Sequence, residues 1–323
     1  MAKAGGEVVE LEGKTFFVTG GTGFIGRNTI NALLDENVKQ IRVLTRRSKP
    51  EIKWLNNDRI KIIKGDIRNF GDVRAGVKSS EIVVHLAAHA DVTGSAKKPL
   101  FSFSTTTMGT MNVLKSAVDN NVKKFVYLSS ARVYGDPIYR PVDEKHPLNP
   151  KTVYGGSKLA GEIMTNVFHA TYGLDTTVIR AFSIYGPWRF PKKHTLSGVI
   201  PLFVDKALNG KPITIVGDGN QTKDFVNVKD VIQAMFLSIK KNVAGEVFNI
   251  GTGIATSINK LSDIVIALTH RNSEIIHIPS EKESVSNVAN ISKARECLGY
   301  KPQILLKDGL IEYIKWYSLW RKK

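Results

Sequence analysis

Short apolar runs alternate with amphipathic stretches through the first half of the chain. Runs of strand length occupy Thr15 to Thr19, Ile41 to Thr45, Ile60 to Ile63, Ile82 to His85, Phe125 to Ser129 and Thr176 to Ile179. Helix-like periodicity covers Ile25 to Asp35, Thr107 to Asn120 and Gly155 to Thr171. Strands that are almost continuously apolar and β-branched need cover on both faces, and the intervening helices supply it. The pattern predicts an α/β fold with a doubly wound parallel sheet. After about residue 180 the rhythm changes, because Gly186-Pro187, Pro191, Pro201, Gly210, Pro212, Gly217 and Gly219 cut the chain into short pieces. These predict a smaller second lobe. Asp224 to Ile239 reads again as a strand and a helix that return to the main sheet, and neither internal repeats nor low-complexity segments occur.

The first strand runs into Gly20-Gly21-Thr22-Gly23-Phe24-Ile25-Gly26, and a helical pattern starts at Phe24. Glycines at 20, 23 and 26 allow a sharp turn, close approach of backbone to a pyrophosphate, and tight packing of helix on strand. Spaced G-x-x-G-x-x-G between a strand and a helix, they predict a dinucleotide site with Phe24 and Ile25 in its wall. The end of the second strand commonly separates the two nicotinamide cofactors, since a carboxylate there accepts the ribose hydroxyls. Here Thr45-Arg46-Arg47-Ser48 follows the strand, with no acid from Asn37 to Pro50. A guanidinium at that place pairs with a 2′-phosphate. NADP is therefore the expected cofactor, with NAD bound without the carboxylate as the alternative. Asp66, in Gly65-Asp66-Ile67, is placed to accept from the adenine amino group. His85-Leu86-Ala87-Ala88 ends the fourth strand, where small residues let the backbone run beside the cofactor, and His85 reads as a packed strand histidine.

Tyr154-Gly155-Gly156-Ser157-Lys158 sets a phenol and an ammonium four residues apart, on one face of a helix. Close approach of Lys158, together with a positive nicotinamide ring, is expected to favour the phenolate and lower the Tyr154 pKa. Tyr154 then serves as base in one direction and acid in the other. Ser130 closes its strand at the carboxyl end of the sheet, where open α/β folds collect ligands. It is placed to hold a sugar hydroxyl or ketone near Tyr154, or else simply caps the strand end.

Composition and charge constrain the partners. The net charge of +17 fits a nucleic-acid or membrane-surface binder, or a generally basic surface that attracts small anions. The basic residues are spread along the chain in runs as short as Lys97-Lys98, Lys123-Lys124, Lys192-Lys193 and Arg321 to Lys323, which favours small anions over nucleic acid or membrane. Cys297 is the sole cysteine, so no internal disulfide is expected. No Cys/His cluster has metal-ligand spacing. Met1 to Glu12 lacks a signal-like apolar stretch, and no run of ~18 apolar residues occurs. A cytoplasmic protein is expected.

Taken together these residues resemble the extended short-chain dehydrogenase/reductase family, and especially its nucleotide-sugar epimerase and dehydratase branch. The resemblance spans nearly the whole chain: Thr19 to Gly26, Gly65 to Ile67, His85 to Val92, Ser129 to Gly135, Tyr154 to Lys158, Arg180 to Pro187, Val199 to Leu202, Gly217 to Val228, Asn249 to Gly253 and Ser292 to Pro302. It implies a Rossmann-type domain at 1–180, joined by 224–250, and a substrate lobe at 181–223 and 251–323. It implies that Ser130, Tyr154 and Lys158 are the catalytic serine, tyrosine and lysine, the lysine also holding the nicotinamide ribose. Ser183 and Lys223 then contact a nucleotide-sugar substrate, and the chain forms a homodimer through about Pro99 to Val118 and Gly155 to Thr171.

The implied reaction resembles 4-epimerisation through a transient 4-keto sugar. An NADP-dependent 4-keto-sugar reductase is the alternative, and a non-catalytic dinucleotide-sensing module a further one. Several positions depart from the family pattern. Ala131 and Arg132 stand where 4,6-dehydratases carry acids, which weighs against that reaction. Ser183 replaces a common Asn, Lys223 a phosphate-binding arginine and Thr106 another Asn, while a second arginine upstream of Ala289-Asn290 is not evident, the nearest cation being Lys282. These changes weigh against UDP-glucose itself, and the loop Trp188 to Ser197 is expected to help choose the sugar.

Overall fold

The computed structural model describes residues 10–47, 50–189, 198–280 and 285–321. Seven parallel strands form the central sheet. In chain order they are β1 (Thr15–Thr19), β2 (Gln40–Thr45), β3 (Ile60–Lys64), β4 (Ile82–His85), β5 (Lys124–Ser130), β6 (Thr176–Ala181) and the strand Glu246–Ile250. Across the sheet they lie with Glu246–Ile250 at one edge, then β6, β5, β4, β1, β2 and β3. β1 pairs with both β2 and β4, Thr19 lying opposite Leu44 on one side and His85 on the other. The strand order thus reverses beside β1, and this switch point opens a crevice at the carboxyl ends of the strands.

Side chains leave successive strand residues on opposite faces. Phe16 and Val18 accordingly enter one buried cluster, with Val43, Val126 and Ile179, and Phe17 enters the other, with Val83, Phe125 and Val178. Both faces of the central strands are dry, as their apolar sequences predict. β3, at the edge, is only partly buried.

The strand Glu246–Ile250 pairs with β6, and the helix Val228–Lys240 packs on the same core through Val228, Val231 and Met235. Ile291, Ala294, Leu298 and Tyr300 also join this core, although they fall in the stretch assigned by sequence to the substrate lobe. A third cluster builds the second lobe. Tyr185, Ile200, Phe203, Ile213, Leu261, Leu310 and Tyr313 meet there, drawn from the strand Ser183–Tyr185, the helices Val199–Leu208, Ile258–Thr269 and Leu306–Arg321, and the strand Ile213–Val216, which pairs with Ile275–Ile278. Among the described residues, no helix is long and apolar enough to cross a membrane.

Candidate active site

The glycine loop closes against the end of β4. Gly20 has φ of 69°, and a Cβ there would lie 2.8 Å from the Ala87 nitrogen and 2.9 Å from the Leu86 carbonyl carbon. A Cβ on Gly26 would come within 2.2 Å of the Gly20 carbonyl oxygen. The next helix, α1 (Phe24–Asp35), starts at Gly23 with neither a side-chain cap nor an acid in its first turn. Its first N–H groups therefore remain available to an anion. Leu86 and Ala87 are held by N–H donation to the Thr19 carbonyl and hydroxyl oxygens, at 3.3 and 3.2 Å. Leu86, Ala87 and Ala88 are half-buried along the crevice wall. A cradle that admits no side chain fits a dinucleotide pyrophosphate.

At the end of β2, the buried Thr45 lies with its hydroxyl 3.5 Å from that of Thr22 in the glycine loop and accepts the Arg47 N–H at 3.1 Å. Arg46 and Arg47 are exposed, and Ser48 lies outside the described residues. Asp66 is engaged by Arg68 at 2.7 Å and, more loosely, by Arg46 at 3.7 Å. Hydrogen bonding to Arg68 holds its carboxyl below the ordinary value. Ile67 is buried under Gly109, and its carbonyl accepts from the Asn112 side chain at 2.9 Å. This corner carries net positive charge around one committed carboxylate.

Tyr154 and Lys158 lie in the first two turns of the helix Val153–Tyr172, whose N-terminus is capped by the Thr152 hydroxyl accepting from the Gly155 N–H at 3.0 Å. Ser130 ends β5, near enough to the Tyr154 phenol to favour its ionised form. Its hydroxyl oxygen accepts the Arg132 N–H at 3.2 Å. Lys158 is buried, with its ammonium 4.2 Å from the Tyr127 ring centre. Gly161 makes room for that ring, since a Cβ there would meet the Tyr127 hydroxyl at 2.3 Å. The structure thus brings Ser130, Tyr154 and Lys158 to one end of the sheet, beside the glycine cradle.

The electrostatics differ from the sequence expectation. Burial raises the Tyr154 phenol above its ordinary value, and the opposing influences are the Ser130 hydroxyl and the charges of Arg132 and Arg189. Lys158 is not among them. Burial presses its own ammonium down to about 7, against support from Glu162.

Glu162 is buried one turn further along and is held by three contacts from Arg180 of β6, at 2.8, 3.1 and 3.1 Å. Arg180 also donates to the Tyr134 hydroxyl at 2.9 Å. His85 is buried between the Thr19 hydroxyl at 2.6 Å and the Thr110 hydroxyl at 2.9 Å, where desolvation keeps it neutral. It packs within the fold, as read from the sequence. Thr106 lies in a π-helical segment, Ser104–Met108, and accepts the His89 N–H at 3.0 Å, supporting the end of the β4 wall.

From the second lobe, Arg189 and Lys223 come near this centre. Ser183 donates its N–H to the Asp224 carbonyl at 2.9 Å, next to Lys223 in the chain. Desolvation, with Arg132 and Arg189 nearby, pushes Lys223 down to about 8. Arg189 donates to the Ile184 carbonyl at 2.6 Å and sits 5.5 Å from the Phe24 ring. From the sequence, Arg189 is taken in only as part of the loop Trp188 to Ser197, and neither Glu162 nor the reach of Arg132 is singled out. Of the sugar-choosing loop, Trp188 and Arg189 are described and the remainder lies outside the described residues. The Arg27 guanidinium is stacked 3.2 Å from the Trp188 ring and 4.1 Å from that of Trp54, tying α1 to the second lobe. Lys282 also lies outside the described residues.

Known proteins share this fold. The profile of the NAD dependent epimerase/dehydratase family matches residues 16–251. A putative UDP-glucose 4-epimerase of Methanocaldococcus jannaschii is 38% identical over 93% of this chain and 97% of its own length. The crystal structure of a UDP-glucose 4-epimerase from Thermotoga maritima with UDP-glucose superimposes with a TM-score of 0.88 at 30% identity, covering 95% of this chain and 99% of that one. A dTDP-glucose 4,6-dehydratase from Streptomyces venezuelae, solved with NAD bound, reaches 0.86 at 29% identity over 95% and 98% of the two chains. With a glycine cradle, a tyrosine and lysine on one helix and a serine at the neighbouring strand end, the chain belongs to the NAD-dependent epimerase/dehydratase family, an extended short-chain dehydrogenase/reductase fold.

Proposed function

We propose that the protein is a nucleotide-sugar 4-epimerase that works through a transient 4-keto sugar. The observation that carries this reading is that Ser130, at the end of β5, and Tyr154, in the first turn of the helix Val153–Tyr172, come together at the mouth of the dinucleotide crevice, the serine opposing the rise in the phenol's pKa. In the forward half-reaction Tyr154 takes the proton of the sugar C4 hydroxyl, and Ser130 hydrogen-bonds that oxygen. The bound nicotinamide supplies the hydride acceptance and return. Arg132 and Arg189 favour the phenolate by their charge, and Lys158 orients the cofactor's ribose. After the ketone turns over and C4 is reduced on its opposite face, Tyr154 gives the proton back to the C4 oxygen. Relatives named as UDP-glucose 4-epimerases support this reaction. A 4,6-elimination would need an acid where Ala131 and Arg132 stand.

In the same reading Gly20, Gly23, Phe24, Ile25 and Gly26 hold the pyrophosphate, and Arg46 and Arg47 favour NADP over NAD. Asp66 and Ile67 border the adenine, and Ser183 and Lys223 meet the nucleotide. The protein works in the cytoplasm as a homodimer. Its paired helices carry exposed Leu100, Phe103, Met108, Ile163 and Val167, an apolar strip that a second copy would cover. A 4-keto-sugar reductase is the second reading, favoured by the arginines after β2.

Incubation with UDP-, dTDP- and GDP-sugars, with product separation, tests both. Redox-neutral interconversion that Tyr154→Phe reduces by at least about 100-fold supports the epimerase. Stoichiometric NADPH consumption with a keto sugar selects the reductase, and activity indifferent to Tyr154→Phe removes both. Light scattering should give twice the 35.7 kDa chain mass.

A further inference from the structure

Lys158 is a buried cation without a carboxylate of its own. It is 2% exposed, and among the described residues no acid forms an ion pair with it. Glu162, one turn further along the same helix, supports its charge, but the Glu162 oxygens are committed to Arg180 at 2.8, 3.1 and 3.1 Å. Tyr154, one turn before Lys158, keeps its phenol protonated by burial in the cofactor-free protein. From β4, His85 is held neutral between the Thr19 and Thr110 hydroxyls.

The group that meets the ammonium is the face of Tyr127, its ring centre 4.2 Å from the Lys158 Nζ. Tyr127 is fully buried on β5, and its ring is fixed on several sides. Its hydroxyl donates to the Lys158 carbonyl oxygen at 3.2 Å. The His85 ring packs against it at 5.5 Å between centres, and Gly161 vacates the space that its hydroxyl fills. A ring anchored at its far end to the backbone of Lys158 cannot swing away from the ammonium of the same residue.

Two kinds of neighbour hold a buried ammonium charged. A carboxylate does so by taking some of its three N–H donors, and so competes with any hydroxyl the lysine has to reach. An aromatic face attracts the charge through the ring quadrupole, more strongly where water is excluded, and takes no directional hydrogen bond. We propose that Tyr127 is a positioning residue for the dinucleotide: its ring face keeps Lys158 charged while leaving the N–H donors free for the ribose hydroxyls. This inference rests on the reading of Lys158 as the residue that holds the nicotinamide ribose.

Tyr127→Leu removes the ring face, and Tyr127→Phe keeps it and loses only the hydroxyl. Tyr127→Phe bearing one, two or three ring fluorines keeps the shape while draining the face of negative charge. The first readout is the titration of Lys158 in protein carrying lysine labelled with carbon-13 at Cε, its signal identified by its absence from Lys158→Met. The second is affinity for NADH and NADPH by calorimetry at pH 5 and pH 8. In Tyr127→Leu the Lys158 midpoint should fall by about one pH unit, the value of a desolvated ring contact. The fluorinated series should move stepwise in the same direction, and Tyr127→Phe should stay close to wild type. Dinucleotide affinity should then be nearly unchanged at pH 5, where the lysine is charged in every variant, and about tenfold weaker at pH 8 in Tyr127→Leu. A purely structural role would weaken binding equally at both pH values. An unmoved midpoint across the fluorinated series, which keeps the packing even where Tyr127→Leu fails to fold, overturns the inference. A moved midpoint with no loss of affinity, or with an equal loss at both pH values, overturns it too. Neither readout needs turnover, so a protein that converts no nucleotide sugar would remove the epimerase reading alone.

Discussion

Replacing Lys158 by methionine should make the cofactor-free protein more stable while removing its activity. The ammonium is buried, packs on the Tyr127 ring and is pressed from an ordinary 10.5 down to about 7. That displacement corresponds to about 4 to 5 kcal/mol spent on keeping the folded lysine charged at pH 6. Methionine fills a similar volume, has no charge to desolvate and loses a ring contact of about 1 to 2 kcal/mol. The net gain for Lys158→Met is therefore about 2 to 4 kcal/mol at pH 6.

The pH dependence follows from the same displacement. Between about 7 and 10.5 the unfolded chain holds a proton that the folded one has released, so wild-type stability rises with pH through that window. The advantage of the variant is complete below 7 and fades as pH approaches 10.5. Urea unfolding at pH 6, 8 and 10, followed by circular dichroism, measures it. A variant less stable than wild type at pH 6, or a gap that does not shrink by pH 10, would refute the argument.

Gly26→Ala should abolish dinucleotide binding in a fluorescence titration, because the added carbon meets the Gly20 carbonyl at 2.2 Å and neither backbone can retreat. Glu162→Ala strips Arg180 of its buried counterion and should cost about 3 to 5 kcal/mol in urea unfolding; a loss below about 1 kcal/mol would show that Tyr134 and water suffice. Arg46→Asp should reverse the preference between NADP and NAD in measured dissociation constants, and equal affinities in both proteins would remove the arginine from cofactor choice.

Much of the fold was legible because it depends on local pattern. Continuous β-branched runs mark strands buried on both faces, and the G-x-x-G-x-x-G spacing marks a turn that excludes side chains, whatever lies farther along the chain. Tyr154 and Lys158 share a helix face by the geometry of one turn. What the second half of the chain contributes to the main core was less legible. Ile291, Ala294 and Tyr300 return to it from a stretch with no strand periodicity to betray them.

The charge states belong to the tertiary structure alone. From its sequence neighbourhood Lys158 reads as the cation that ionises Tyr154, yet burial lowers its own pKa, and the cations that act on the phenol arrive from a turn after β5 and a loop of the second lobe. Glu162 and Arg180 stand 18 residues apart, and only the packing of a helix on β6 makes them a pair. The chain's own order of residues determines which groups are available at the crevice. Which of them is charged is decided by distance and desolvation, and both exist only once the segments have folded together.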